Sequence, residues 1–215
     1  MHERSGPLLV VMDVDSTVIE QEVIELIAAF AGVEGEVRKV TEAAMRGELD
    51  FAASLRARVA LLAGLSADVL ETVKAEVRLT TGARELCAEL KRRGDVVALV
   101  SGGFDVVVES IAVELAVDHY RANRLEIVDG KLTGNVAGEI VDREVKANTL
   151  RELAALHGIP LTHTVAVGDG ANDLGMMQVA ALGIAFDAKP LVQQQADVVI
   201  AVRDLRLVLD AINRQ

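Results

Sequence analysis

The sequence predicts an α/β fold, a doubly wound parallel sheet with a small helical insertion after its first strand. Short apolar segments rich in valine recur at wide intervals, which is typical of strands buried on both faces of a sheet. Helical patterns separate most of these segments, and this alternation indicates helices on both sides of a parallel sheet. One long stretch, residues 20–79, contains helical patterns alone.

The first predicted strand, Leu8–Val14, is apolar throughout except for Asp13. The later strands follow the same pattern, although the last of them is weaker: Val96–Val100, Thr164–Val167, Gly183–Phe186 and Val198–Val202. None of these segments alternates between apolar and polar residues, so we expect a sheet that is covered on both faces.

Two helices between the strands have clear limits. Arg84–Arg93 is followed by Gly94 and Glu144–His157 by Gly158, and glycine is the usual residue just beyond a helix C-terminus. The positions predicted to face the core are Leu86, Cys87 and Leu90 in the first helix and Val145, Leu150, Leu153 and Leu156 in the second.

Two stretches depart from the alternation of strands and helices. Residues 20–79 begin with Val23, Ile24, Ile27 and Phe30 at helical spacing, and we expect an all-helical insertion there. In Leu125–Ile140, the pair Asp129-Gly130 lies between short alternating segments, which predicts a β-hairpin.

Composition and charge restrict the partners of the chain. Its 215 residues carry a formal net charge of -11, with no Trp, one Tyr and no cluster of Lys and Arg, so we do not expect nucleic acid as a partner. No apolar run is long enough for a secretory leader or a membrane span, and a cytoplasmic protein is expected. Cys87, the single cysteine, lies in an apolar stripe and is predicted to be a buried thiol.

Polar segments follow three of the predicted strands, and two of these segments contain glycine. Asp13–Thr17 ends the first strand, Ser101–Gly103 follows the second and Gly168–Asp173 follows the third. Open parallel sheets bind ligands outside the carboxyl ends of their strands. We therefore expect these loops to converge on one crevice.

The residue types in these loops suit a metal ion. Asp13 follows five apolar residues, and a buried carboxylate needs a cation or strong hydrogen-bond donors. Asp13, Asp15 and Asp169 offer the hard oxygen ligands that Mg²⁺ accepts.

Other residues suit an anion. Ser101 and the amides of Gly102 and Gly103 precede a predicted helix, Asp105–Leu115, and can cradle a phosphate at its start. Lys146, near the start of its own helix, can supply a positive charge to the same phosphate.

Taken in order, these residues resemble the four motifs of the haloacid dehalogenase superfamily of phosphohydrolases. The first motif is matched by Asp13-Val14-Asp15-Ser16-Thr17, the second by Ser101, the third by Lys146 and the fourth by Gly168-Asp169-Gly170-Ala171-Asn172-Asp173. The likeness runs from about Leu8 to near the C-terminus. It implies a Rossmann-like core made of residues 1–19 and 80–215, with residues 20–79 as a small helical cap that closes over the site.

The resemblance also implies a mechanism. Asp13 would be the nucleophile that forms an aspartyl-phosphate, and Asp15 the general acid and base. Magnesium would be held by Asp13, Asp169 and the backbone carbonyl of Asp15. The remaining roles implied for the core are phosphate contact for Ser101, Gly102, Lys146 and Asn172, and support of Lys146 or of a metal-bound water for Asp173.

Within the superfamily, the likeness is closest to the members that hydrolyse O-phosphoserine, in the last step of serine biosynthesis. It is carried by Asp13–Glu22, Met45–Leu62, Ser101–Asp105 and Gly168–Met177. By this resemblance Glu22 binds the substrate ammonium, Arg58 rather than Arg56 binds its carboxylate, and Met45 and Phe51 form an apolar wall. The likeness begins within the first ten residues, so we expect no regulatory domain before it.

Other functions stay open at this point. Related phosphatases or phosphotransferases act on phosphohomoserine, phosphoethanolamine or phosphocholine, although five aromatic residues make a choline pocket a poor expectation. A signalling receiver also phosphorylates an aspartate after a parallel strand, but it needs neither an acid such as Asp15 nor a lid. A dinucleotide-binding module is disfavoured because Asp173 stands where a third glycine belongs. The histidines His119, His157 and His163 are scattered along the chain and receive no catalytic role, and oligomeric state is not predicted.

Overall fold

The computed structural model describes residues 6–45 and 48–214. Its centre is a seven-stranded sheet with the strand order β4-β3-β2-β1-β5-β6-β7. All neighbouring strands pair in parallel except β3 and β4, which form an antiparallel hairpin at one edge. The strands are β1 Leu9–Met12, β2 Val96–Phe104, β3 His119–Val128, β4 Lys131–Ala137, β5 Thr164–Gly168, β6 Leu182–Phe186 and β7 Val198–Ile200.

Helices connect the strands and cover both faces of the sheet. They are α1 Val23–Ala31, α2 Glu34–Met45, α3 Phe51–Ala60, α4 Val69–Glu76, α5 Ala83–Arg92, α6 Asp105–Glu114, α7 Arg143–Leu156, α8 Leu174–Val179, α9 Pro190–Gln193 and α10 Arg206–Asn213.

Strand β1 shows why both faces must be covered. Val10 and Met12 are fully buried in a core that includes side chains of α1, α5, α6 and α10. Leu9 and Val11 point to the opposite face, into a second core formed with α7 and α8. Successive side chains of a strand alternate between the two faces, so a strand apolar throughout needs a layer on each side. The predicted doubly wound α/β fold is confirmed.

The bounds of the five predicted strands differ from the observed ones by one to four residues, and the differences at β1 and β2 bear on the polar loops. Strand β1 ends at Met12, because the chain turns irregularly after Asp13. Strand β2 continues through Ser101–Gly103 to Phe104. The segment predicted as a loop therefore lies inside the strand, where the pairing of β2 with β3 shifts register.

The predicted hairpin is confirmed, but its first strand starts at His119, well before Leu125. The start of β3 alternates between exposed and partly buried residues, and it lacks the apolar run by which the other strands were identified. One predicted core residue is wrong: Leu156 is 69% exposed. It is the last residue of α7, at the end of the helix that the structure leaves open to solvent.

The described part of residues 20–79 contains helices α1 to α4, joined to the sheet by two antiparallel connecting segments. Within these segments Ile19 bridges Leu79, Glu20 N donates to Arg78 O at 2.9 Å, and Thr80 N donates to Val18 O at 2.9 Å. We call residues 18–20 and 78–80 the neck of the insertion.

The insertion also touches the hairpin edge of the sheet. Gly64 N donates to Leu132 O at 2.8 Å, and Leu132 N donates to Leu65 O at 2.9 Å. Ala67 N donates to Gly130 O at 2.8 Å. The segment between α3 and α4 is thus bonded to β4 along the side that β3 leaves free.

Two further predictions concern single features. Cys87 is 1% exposed, and burial raises the pKa of its thiol to about 12, as expected for an inert core thiol. No helix in the described part of the chain combines the length and apolar character that a membrane crossing requires.

Candidate active site

The site lies where the direction of the sheet's winding changes. Strand β1 is central, with β2 paired on one side and β5 on the other. The chain leaves these three strands at the same edge, and such a switch point opens a crevice at the carboxyl ends of the strands. The predicted convergence of the three polar loops is observed.

Asp13 lies at the tip of β1. Its amide donates to Val167 O at 2.9 Å, so the ladder to β5 continues one residue beyond the strand. The chain then turns through Val14–Val18, where Ser16 has a positive φ of 58°. This turn brings Asp15 back so that its Oδ2 accepts a hydrogen bond from Val23 N at 3.1 Å, at the start of α1.

Lys146 joins two of the loops. Its side chain is fully buried, and its Nζ donates to the carboxylates of Asp13 and, at 2.7 Å, of Asp173. Its position follows from the start of α7, where the Asp142 side chain accepts from Glu144 N at 2.9 Å and caps the helix. Lys146 lies in the next turn and reaches across to β1.

Asp173 is held by the loop after β5. Its Oδ2 accepts hydrogen bonds from Asp169 N at 3.2 Å and Gly170 N at 3.0 Å, while its Oδ1 accepts from Lys146. A Cβ at position 168 would clash with the Asp173 carboxylate, so only glycine fits there. The loop after β5 thus holds the Asp173 carboxylate in the position where it accepts a hydrogen bond from Lys146.

Three carboxylates form a group suited to a cation. Oxygens of Asp13, Asp169 and Asp173 all lie within 4.8 Å of one another, and among the described residues no other group of this kind is found. The predicted set had Asp15, through its backbone carbonyl, in place of Asp173. Hard carboxylate oxygens are ligands for divalent cations such as Mg²⁺.

The electrostatics of this group favour a further positive charge. Burial, reinforced by the charge of Asp173, raises the pKa of Asp13 well above its usual range, although Lys146 opposes the shift. Burial and Asp173 also raise the pKa of Asp169 to about 7. Burial alone would lower the pKa of Lys146, but Asp13 and Asp173 outweigh it and raise the pKa. Lys146 is therefore charged, and it neutralises only part of the negative charge around it.

Asp15 lies beside this group and is buried. Its Oδ1 is buried without a hydrogen-bond partner in the part of the chain that the structure describes. Burial, together with the charge of Glu22, raises the pKa of Asp15 to about 8. A carboxyl group in this state can hold a proton near neutral pH.

Ser101–Gly103 lies opposite Asp15. Ser101 is fully buried, and its Oγ accepts a hydrogen bond from Gly103 N at 2.9 Å. A Cβ at position 103 would lie 2.8 Å from Oδ1 of Asp15, and one at position 102 would lie 2.7 Å from Cζ of Phe51. Neither position can carry a side chain without displacing a neighbour, so the bare backbone packs directly against Phe51 and Asp15.

Phe51, at the start of α3, and Asn172, in the loop after β5, both lie near the backbone of Gly102. A Cβ at position 102 would lie 3.6 Å from Nδ2 of Asn172, and Phe51 also lines a cleft of about 690 Å³ between α3, α7 and α8. The carboxylates of the acidic group do not line this cleft, and Phe51 lies between it and Gly102. The Met45 side chain, predicted to accompany Phe51, lies outside the described part of the chain.

Glu22 and Arg58 bring charges of both signs from the insertion. Ser16 Oγ donates to Glu22 Oε1 at 2.6 Å, which fixes the carboxylate beside Asp15. Burial lowers the pKa of Arg58, and the charges of Glu22, Glu25 and Asp15 act against this shift. Arg58 is thus partly buried within reach of these carboxylates, whereas Arg56 is exposed.

The structure adds contacts that the sequence interpretation had not assigned. Thr17 belongs to the first motif but was given no role; it is fully buried, and its Oγ1 donates to Asp169 Oδ1 at 3.4 Å. His119 and His157, distant in sequence, meet with their Nε2 atoms 2.6 Å apart. They lie at the amino end of β3, away from the site, where no sequence pattern could have paired them.

Comparison with known proteins reveals close relatives. The family described as haloacid dehalogenase-like hydrolase matches residues 10–178. A protein of Streptomyces coelicolor named phosphoserine phosphatase is 60% identical over 206 residues, which cover 96% of this chain and 50% of that relative. A phosphoserine phosphatase of Streptococcus thermophilus is 50% identical over 213 residues, covering 99% of this chain and 98% of the relative. The chain spans about half the length of the first of these and nearly all of the second.

The fold similarity is equally extensive. A solved structure described as a phospho-aspartyl intermediate analogue of phosphoserine phosphatase superposes with a TM-score of 0.92 at 48% identity, covering 96% of this chain and 99% of that one. A substrate-bound complex of a phosphoserine phosphatase gives the same TM-score at 47% identity, covering 97% and 99% of the two chains.

Proposed function

The chain belongs to the haloacid dehalogenase-like hydrolase family, and from this premise we propose that it is a phosphatase that hydrolyses O-phosphoserine to serine and inorganic phosphate. The observation that carries the proposal is the pairing of two buried side chains, Asp13 and Lys146, within a group of carboxylates at the switch point of the sheet. The names of the relatives supply the substrate, and the charges of Glu22 and Arg58 agree with it.

Asp13 is the nucleophile in this proposal. One of its carboxylate oxygens attacks phosphorus, the bond from phosphorus to the serine oxygen breaks, and an aspartyl-phosphate forms. Lys146 holds the attacking carboxylate and stabilises charge on the phosphoryl oxygens. Support comes from the position of Asp13 at the strand tip, where a backbone hydrogen bond and the lysine fix its orientation.

Asp15 carries the protons. It donates one to the leaving serine oxygen, and it then accepts one from the water that hydrolyses the aspartyl-phosphate. The hydrogen bond from Val23 N to Oδ2 orients the carboxyl group, whose Oδ1 has no hydrogen-bond partner among the described residues. A general acid and base in such a position contributes roughly 10²–10⁴ in rate.

Other core residues hold the phosphate. Ser101, the amide of Gly102 and Asn172 contact its oxygens, and Asp173 keeps Lys146 in place through its hydrogen bond of 2.7 Å. We propose Mg²⁺ as the cation, held by Asp13, Asp169 and the backbone carbonyl of Asp15. When bound, it neutralises phosphate charge and orients the phosphoryl group for in-line attack.

We assign residues 20–79 as a cap over a core made of residues 1–19 and 80–215. Glu22 binds the substrate ammonium, Arg58 its carboxylate, and Met45 and Phe51 form the apolar wall beside them. The contact of Phe51 with Gly102 supports this assignment, because it puts a cap residue directly on Ser101–Gly103, the segment that we call the phosphate cradle. A cytoplasmic location and a role in the last step of serine biosynthesis belong to the same proposal.

The reaction is tested by measuring phosphate release from phosphoserine, phosphothreonine and phosphoethanolamine, each with Mg²⁺ and with EDTA. We expect release that requires Mg²⁺, is fastest with phosphoserine and falls by at least about 10³-fold in Asp13→Asn. If no ester is hydrolysed but phosphate accumulates stably on Asp13, the chain is receiver-like and the proposal is wrong.

The substrate is tested separately with Arg58→Lys, and Arg56→Lys serves as the matched control. Lysine cannot reproduce the bidentate fork, so we expect KM for phosphoserine to rise by about tenfold or more at position 58 and to stay unchanged at position 56. Phosphoethanolamine lacks a carboxylate, and its turnover should respond to neither change. A KM for phosphoserine that is indifferent to Arg58 would keep the reaction and point to another phosphomonoester.

A further inference from the structure

The phosphate cradle is a bulge in a strand. Strands β2 and β3 pair in register up to Val100, opposite Arg121, and pair again at Phe104, opposite Asn123. Between these points Ser101–Gly103 opposes only one residue of β3, so this segment leaves the regular ladder. A bulge exposes its backbone to a ligand, but it also removes strand partners from its own buried carbonyl and amide groups.

Asn123 supplies one of the missing partners. Its side chain is fully buried, and its Nδ2 donates to Gly102 O at 2.8 Å. Its Oδ1 accepts from Val141 N at 2.8 Å. The orientation of the amide is fixed by these neighbours, because a carbonyl can only accept and a backbone N–H can only donate.

The second bond connects the bulge to the helix that carries the catalytic lysine. Val141 directly precedes Asp142, the residue that caps α7, and Lys146 N donates to Asp142 O at 2.9 Å in the first turn. One buried amide therefore spans two elements of the site, the cradle at Gly102 and the start of the helix that holds Lys146.

We propose that Asn123 is a positioning residue for the phosphoryl group: it sets the distance between the cradle backbone and the Lys146 ammonium. This inference rests on the proposed function of the site, but Asn123 itself does not touch the substrate. Two ligand groups on separate elements bind one small anion well only if their separation is fixed, and displacements of about 1 Å can lower a rate by about 10²-fold.

The test uses Asn123→Asp, with Asn135→Asp in the same hairpin as the matched control. The carboxylate at position 123 keeps the acceptor for Val141 N. It turns a second acceptor toward Gly102 O, so this carbonyl loses its hydrogen-bond donor. Asn135 is exposed, so its change leaves the site untouched. We expect kcat for phosphoserine to fall by about 10- to 100-fold at position 123, with no change at position 135.

A second readout separates positioning from loss of folded protein. The Kd for inorganic phosphate in the presence of Mg²⁺, measured by calorimetry, should rise by about tenfold or more in Asn123→Asp. A variant that only folds less well lowers the number of binding sites but leaves their Kd unchanged, and that result would overturn the proposal. This binding measurement needs no turnover, so it stands even if wild-type protein hydrolyses none of the esters.

A measurement on wild-type protein covers the case in which Asn123→Asp does not fold. The side-chain amide of Asn123 should show a shifted ¹⁵N and ¹H resonance when inorganic phosphate binds with Mg²⁺, because its acceptor Gly102 belongs to the cradle. The amide of Asn135 should not respond. Equal behaviour of the two amides would contradict the proposed role.

Discussion

Lys146 shows how much of the site depends on a single buried charge. Its ammonium lies between Asp13 and Asp173, and all three side chains are almost completely withdrawn from solvent. Removing one partner of a buried ion pair leaves the other charges uncompensated, which destabilises a fold far more than loss of an exposed pair. The lysine therefore has a structural role besides its proposed role in catalysis.

We expect Lys146→Met to lower the free energy of unfolding by about 3 kcal/mol in EDTA, because the carboxylates lose their only direct cation among the described residues. Chemical denaturation at neutral pH measures this value. Lys131→Met, at an exposed position in the hairpin, should change stability by less than about 0.5 kcal/mol. Equal effects of the two changes would show that Lys146 does not balance these carboxylates.

The His119–His157 contact predicts a pH dependence of stability. Burial lowers the pKa of His119 and the charge of His157 lowers it further, with Lys91 acting in the same direction and Asp118 against it. The folded protein thus holds this proton less tightly than the unfolded chain. Stability contributed by neutral His119 is present above pH 6.5 and is lost as the pH falls through its lowered pKa.

His157→Gln should make the free energy of unfolding less sensitive to pH between about pH 7.5 and about pH 5. His163→Gln is the control, since His163 lies apart from the pair and should leave the slope unchanged. Denaturation curves at a series of pH values give the slope directly. A slope that is the same in His157→Gln and wild type would contradict the assignment of this dependence to the pair.

At the scale of elements, close packing of the hairpin on α3 stands out. Gly134 in β4 has a φ of 89°, and a Cβ there would lie 2.9 Å from Cβ of Ala63 and 3.3 Å from Cα of Ala60. Helix α3 also carries Arg58 and begins at Phe51. The distance between hairpin and helix therefore bears on the proposed substrate pocket.

Gly134→Ala should push α3 away from β4, lower stability by about 1–3 kcal/mol and raise KM for phosphoserine. Gly130→Ala is the matched control, because Gly130 also has a positive φ of 72° but has nothing within 4 Å of its Cβ direction. The control shares the backbone strain without the clash. Thermal unfolding and steady-state kinetics on both variants separate the two contributions, and equal KM values would argue against a coupling between hairpin and pocket.

The elements show which parts of the fold a sequence can predict. Strands β1, β5 and β6 are buried on both faces, so their apolar character marks them directly. The start of β3 was missed because it alternates in burial and includes polar residues. The bulge after Val100 was not predicted either, because it depends on how β2 pairs with β3, which are separated in sequence.

The same distinction applies to the site. Motif residues in loops at strand ends converge through topology, and Asp13 and Ser101 could therefore be placed together from the sequence. The bridge through Asn123 could not, because it depends on the bulge and on the start of α7. The electrostatic interaction between Arg58 and the acidic side chains likewise depends on how the insertion packs, and only resemblance had favoured Arg58 over Arg56.

At the scale of the whole molecule, a cation bound by the acidic group should stabilise the fold. A ligand that binds only the folded state at about 100 times its Kd adds about 2.7 kcal/mol. We expect Mg²⁺ to raise Tm of the wild type and to have little effect on Asp169→Asn. Asp129→Asn, in the hairpin turn, keeps the wild-type response because it removes one negative charge far from the acidic group. A Tm of Asp169→Asn that still rises with Mg²⁺ would place the cation elsewhere.

The bonds between the insertion and β4 have a consequence for solubility. An uncovered edge strand offers a row of backbone groups to which a strand of another molecule can add, and such addition starts aggregation. Here Gly64 and Leu65 bond to Leu132 of β4 and Ala67 bonds to Gly130 in the turn before it, while the opposite edge, β7, is only three residues long. Conditions that detach the segment between α3 and α4 would uncover β4, so intermolecular strand pairing should begin at the hairpin while the rest of the sheet is still folded.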